Sequence, residues 1–153
     1  MSITPEILEK AKAYCAYQER CQQEVRDKLY TLGLHAQQVE FMIAQLITEG
    51  FVNEERFART FARGKFRMKA WGRIRITREL KGRKISEYCI RKAMTEIDDD
   101  DYLQTMRALI NKKKKMMGAR EPVGPVVRQK IGTFVIGKGF EPALVWAELN
   151  RSR

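Results

Sequence analysis

Between Arg63 and Lys84 the chain carries ten basic side chains, Arg63, Lys65, Arg67, Lys69, Arg73, Arg75, Arg78, Lys81, Arg83 and Lys84, against one acid, Glu79. Folding alone does not call for that density. The chemistry such a run offers is attraction to carboxylates or phosphates, and with phosphates it is sequence-independent and steeply weakened by salt. Phe61, Phe66 and Trp71 interleave with the run and have faces on which bases could stack, although packing between helices is the commoner use of such rings. A merely solvated basic face is the plainer reading of the same residues. A second cluster, Lys112 to Lys115, precedes Met116 and Met117 at the end of a helix expected from Asp101, where lysines also complement the negative end of the helix dipole.

Other chemistries find few residues. Asp98 to Asp101 are four consecutive carboxylates that diverge around a helical turn and lack the spaced oxygen ligands and glycine of a calcium loop, so they read as a helix cap and no metal site is expected. His35 is the only histidine, too few for a zinc site or a histidine-based triad. The glycines form neither a Walker loop nor a dinucleotide fingerprint. Cys15, Cys21 and Cys89 make no CxxC pair and fall near apolar helix positions, so free structural thiols are expected. The inventory predicts a binding protein without catalysis or cofactor.

The elements that must carry these residues are helical. The chain has 153 residues, a formal charge of +11, 44% hydrophobic and 32% charged residues, which suits one ordinary domain or a short repeat array with a real core. The charge is uneven: residues 1–52 sum to −2, 53–97 to +9 and 98–153 to +4. No apolar run is long enough for a membrane span and the first residues lack a signal core, so a cytoplasmic protein is expected. Thr4 and Pro5 start a first helix with Ile7, Leu8, Ala11, Tyr14 and Cys15 on one face. A second runs from Cys21 to Leu32 and ends at Gly33; a third runs from Ala36 to Glu49 and ends at Gly50. Asn53 caps a helix from Glu54 to Met68.

The pattern repeats. Val25, Leu29, Leu34, Val39 and Ile43 recur at an offset of 51 as Ile76, Leu80, Ile85, Ile90 and Met94, and at an offset of 106 as Ile131, Val135, Phe140, Val145 and Leu149. All fifteen are apolar: two inward residues a turn apart, a link, then two more. Each link holds the pair of a hydrophobic staple, Leu34 with Val39, Ile85 with Ile90 and Phe140 with Val145, around the caps His35, Ser86 and Glu141. This predicts an all-α fold of three tandem three-helix repeats, residues 5–52, 53–97 (strongly basic) and 98–150 (divergent), each too small to stand alone and therefore stacked into an elongated array. In the third repeat Gly132, Gly137 and Gly139 weaken the middle helix and Thr133 to Ile136 competes as a short strand. Ala119 to Pro125 is the clearest loop. Without a long heptad seam, a monomer is expected.

The run Glu49, Gly50, Phe51, Val52, Asn53, Glu54, Glu55, Arg56, Phe57, Ala58, Arg59, followed by Trp71, Gly72, Arg73, Ile74, Arg75, Ile76, Thr77, Arg78, Glu79, Leu80, resembles the RecX family of recombinase regulators. The stretch from Glu24 to Leu34 is similar to that family's first unit. The resemblance covers most of the chain and is strongest over residues 24–97. It departs from the pattern before Ile85, where Lys84 stands in place of a glycine, and in the divergent third unit. The resemblance implies a curved rod of three repeats that lodges in the groove of the RecA nucleoprotein filament. There it would restrain extension, ATP hydrolysis, recombination and co-protease activity in DNA repair and the SOS response, without catalysis of its own. Arg63 to Lys84 would then face acidic protomer surfaces or single- or double-stranded DNA. Two other readings stay open on the residues: a sequence-independent nucleic-acid-binding helical protein with no recombinase partner, and a helix-turn-helix repressor. The second fits less well, because the basic surface spreads over at least two helices.

Overall fold

The computed structural model describes residues 3–151, and among them the backbone forms nine α-helices and no strand. They are α1 (Pro5–Tyr17), α2 (Gln22–Thr31), α3 (Ala36–Thr48), α4 (Glu54–Lys69), α5 (Arg73–Gly82), α6 (Glu87–Met94), α7 (Asp99–Met116), α8 (Pro125–Gly137) and α9 (Pro142–Arg151). No helix is long and apolar enough to cross a membrane among the described residues.

Side chains set where four of these helices start. Thr4 Oγ1 accepts from the Ile7 amide at 3.4 Å, Asn53 Oδ1 from Arg56 at 2.8 Å, Ser86 Oγ from Cys89 at 3.2 Å and Asp98 Oδ2 from Asp101 at 3.0 Å. Each satisfies a donor that the first turn leaves without an intrahelical acceptor. His35 supplies no such acceptor; instead Gln38 Oε1 reaches back to its amide at 3.1 Å. Glu141, expected as a cap for α9, sends its carboxylate to Tyr102 and Arg73.

The inward line read from the repeat is the core. Of the fifteen repeated positions, fourteen are buried and only Met94 is half-buried. The links share a backbone device: the residue closing the first helix of each pair is left-handed, at φ +92° for Gly33, +60° for Lys84 and +103° for Gly139. At the first two, the next amide bonds back five residues, Leu34 to the Leu29 carbonyl at 3.2 Å and Ile85 to Leu80 at 3.1 Å. That is the Schellman closure, and it turns the chain into the next helix.

Packing divides the chain into two compact units, one of Met1–Phe61 with Leu80–Ala93, the other of Ala62–Glu79 with Met94–Arg153. The cuts pass through α4 and α5, so repeat and packing partition the chain differently. In the first unit Ala11, Cys15, Val25, Leu29, Leu34, Val39, Met42, Ile43, Leu46 and Val52 form one apolar cluster. In the second, the Phe66 ring lies 5.8 Å from Tyr102, and Tyr102 lies 4.9 Å from Phe140, centroid to centroid.

The second unit corrects one expectation. Thr133 to Ile136 is not a strand; it lies inside α8. Glycine serves packing there, since a Cβ on Gly132 would come within 2.2 Å of the Trp146 ring. Gly72 likewise lets two backbones touch: its amide donates to the Lys138 carbonyl at 2.8 Å and the Ile74 amide to Gly139 at 3.0 Å, and a Cβ on it would sit 2.2 Å from the Gly139 carbonyl carbon. The link between α7 and α8 holds the expected loop.

Candidate basic interface

Ten cations that look equivalent in the sequence divide by what they touch. On the last turns of α4, Arg63 donates to Glu96 at 2.7 Å. Trp71, in the α4–α5 link, is flanked by Lys65, whose Nζ is 5.0 Å from the ring centroid, and Arg75, whose guanidinium carbon is 4.0 Å away. Arg83 lies 4.8 Å from the Phe61 centroid.

Arg73 is the most committed. It donates to Asp99 at 2.6 Å and to Glu141 at 3.2 Å, its guanidinium lies 3.9 Å from the Tyr102 ring centroid, and its amide donates to the Tyr102 hydroxyl at 2.9 Å. That hydroxyl in turn donates to Glu141. Burial, and then the bond to Glu141, push the Tyr102 phenol well above its ordinary pKa, so the proton stays on the oxygen. Arg73, Tyr102 and Glu141 therefore tie α5, α7 and α9 together, and Arg73 is spent on the fold. Nothing in the local spacing signals this; the acid expected to cap α9 is the partner.

Arg67, Lys69, Arg78, Lys81 and Lys84 are exposed, and none has an ion-pair partner among the described residues. Arg67 and Lys69 flank Met68, itself 83% exposed, at the end of α4. On α5, Ile76 and Leu80 are fully buried, and the opposite face presents Ile74, Arg78 and Lys81. Arg75 is half-buried against Trp71. Lys84 projects from the left-handed closure of α5. The second unit thus carries Arg67, Lys69 and Arg78 without an ion-pair partner, with Met68 and Ile74 exposed beside them in the sequence, and the first unit carries Lys81 and Lys84.

The aromatic residues are mostly occupied. Phe66 is buried against Tyr102, Phe61 packs on Phe57 at 5.7 Å, and cations lie against Trp71. The second basic cluster is half consumed as well: Lys114 pairs with Glu121 at 2.7 Å and Lys113 lies 4.6 Å from the Phe134 centroid, leaving Lys112 and Lys115 exposed. Asp98 caps α7 as expected, and among the described residues no three His, Cys, Asp or Glu side chains gather as metal ligands. The three cysteines are free and buried, and burial raises each thiol above its ordinary pKa, which keeps it protonated and unreactive.

Comparison with known proteins places this arrangement. Residues 53–94, which hold the whole basic stretch, match the model of the second three-helix domain of RecX. The regulatory protein RecX of Prosthecochloris aestuarii is 27% identical over 149 residues, covering 97% of this chain and 95% of that one. That of Amycolatopsis mediterranei is 25% identical over 145 residues, covering 92% and 82%. The crystal structure of RecX from Lactobacillus salivarius superposes with a TM-score of 0.80 at 22% identity, over 95% of each chain, and shows the same helical fold. Residues 53–94 thus match the second three-helix domain of RecX, and the chain as a whole is similar in sequence and in helical fold to regulatory proteins named RecX.

Proposed function

We propose that this protein binds the RecA nucleoprotein filament and opposes its extension, ATP hydrolysis, recombinase and co-protease activities in the cytoplasm, as a non-catalytic regulator in DNA repair. The observation that carries this reading is the set of five uncommitted cations, Arg67, Lys69, Arg78, Lys81 and Lys84, within the domain that matches the family model. They supply attraction to acidic protomer surfaces or to DNA phosphates, and Met68 and Ile74 supply apolar contact. Regulation follows from differential binding, because a ligand shifts a filament between states only by its difference in affinity for them.

The test is DNA-dependent ATP hydrolysis by RecA on single strands, with this protein titrated far below one per protomer onto preformed filaments. Progressive inhibition at such ratios supports the reading. Inhibition that appears only when the protein is abundant enough to coat DNA, and that excess DNA relieves, favours the second reading of a sequence-independent nucleic-acid binder. Replacing all five free cations with Gln should raise the concentration needed for inhibition by at least about tenfold, whereas unchanged potency removes them from the contact.

A further inference from the structure

The first unit carries a second surface of different character. A groove of about 380 Å³ opens between α1 and α2, lined by the apolar surfaces of Tyr14, Tyr17 and Leu32 and by the cations Lys10, Arg20 and Lys28. Arg20 organises the lining: its guanidinium lies 3.8 Å from the Tyr14 centroid and 5.9 Å from that of Tyr17, and its Nε donates to the Tyr14 carbonyl at 3.1 Å. Glu24, 3.8 Å away, is its carboxylate partner. Lys28 reaches Tyr14 at 5.4 Å and has no carboxylate partner among the described residues; nor has Lys10. Tyr17 is 83% exposed, a large ring left to water beside an apolar depression.

From this groove we infer a docking site for a short acidic peptide segment anchored by one apolar or aromatic side chain. The apolar lining favours an apolar group, since a buried polar edge would find few partners there. The lining includes the ammonium groups of Lys10 and Lys28, neither with a carboxylate partner among the described residues, and no acid, so carboxylates flanking the anchor are attracted. A nucleic acid fits less well, because Arg20 already covers the Tyr14 ring on which a base would stack. The inference uses the first unit alone and is independent of the basic stretch.

The test titrates the full-length ¹⁵N-labelled protein with a blocked hexapeptide, Asp-Asp-Phe-Leu-Glu-Glu, and with a control in which Phe and Leu are replaced by Ser. Amide shifts confined to the surroundings of Tyr14, Tyr17, Lys28 and Leu32, seen with the first peptide and weak with the control, support the site. Tyr17→Ala, at an exposed position that leaves the core intact, should weaken binding about tenfold, and Lys10→Glu several-fold. The inference is overturned if the groove signals do not move, if the serine control binds equally well, or if oligothymidylate displaces the peptide from these residues. Concentration-dependent dimerisation abolished by Tyr17→Ala would assign the groove to a second copy of the chain and overturn it too.

Discussion

At the scale of single residues, the distinction that matters is between cations the fold uses and cations it leaves over. Arg73 compensates Glu141 and stacks on Tyr102, with its own side chain 27% exposed. Arg73→Ala leaves a half-buried carboxylate with the Tyr102 hydroxyl as its remaining partner and removes the cover from the ring. We expect a loss of about 1–3 kcal/mol in urea unfolding, the usual cost of stranding a hydrogen-bonded group. Arg78→Ala, on the exposed face of α5, should cost under about 0.5 kcal/mol. The pair separates a stability defect from a binding defect: a filament assay of Arg73→Ala alone confounds the two, and Arg78→Ala does not. If the two variants unfold at the same urea concentration, the assignment of Arg73 to the fold is wrong.

Individual helices owe their ends to local chemistry and their closeness to glycine. Lys84 occupies the left-handed closure that Gly33 and Gly139 occupy in the other two helix pairs. A side chain costs about 1–2 kcal/mol in that conformation. Glycine relieves this at some cost in unfolded-chain entropy, so Lys84→Gly should raise stability by about 0.5–1 kcal/mol, read as a higher midpoint of thermal or urea unfolding. It also removes one free cation, so a more stable protein that inhibits less well would mean that Lys84 is kept for binding at the expense of the turn. Gly72→Ala acts in the opposite direction. Its Cβ meets backbone, which cannot rotate away, and α5 and the α8–α9 link must separate, for an expected loss of about 1–3 kcal/mol or more. A variant as stable as the parent would mean that this close approach is dispensable.

For the whole molecule, charge and packing are distributed on different plans. The formal charge of +11 resides mostly in the middle third, yet the compact units cut across that third through α4 and α5. A truncation that keeps residues 1–52 therefore retains an acidic segment, and one that keeps 53–97 retains the cations without the residues that each unit draws from elsewhere. Binding studies belong on the complete chain. If phosphates are the partner, the logarithm of affinity should fall linearly with the logarithm of salt, and the five-cation Gln variant should have a slope shallower by up to about 0.9 for each cation that met a phosphate. An unchanged slope would place the salt-sensitive contacts elsewhere, with Lys112 and Lys115 as the next to replace.

Helix order, inward register and most of the expected caps were legible in the chain itself, because each depends on neighbours three to five residues apart. Val25, Leu29, Leu34, Val39 and Ile43 announce a helix pair by spacing alone, and both later copies are buried except for Met94. The competing strand at Thr133 to Ile136 was misleading because β-branched and aromatic residues favour strands in isolation, while Gly132 answers to Trp146, fourteen positions on. The state of the cations was decided only by tertiary structure. Arg73 finds Asp99 across 26 residues and Glu141 across 68, separations over which periodicity carries no information. Spacing along one chain tells which face of a helix turns inward; which charges remain free depends on what the other helices bring to them.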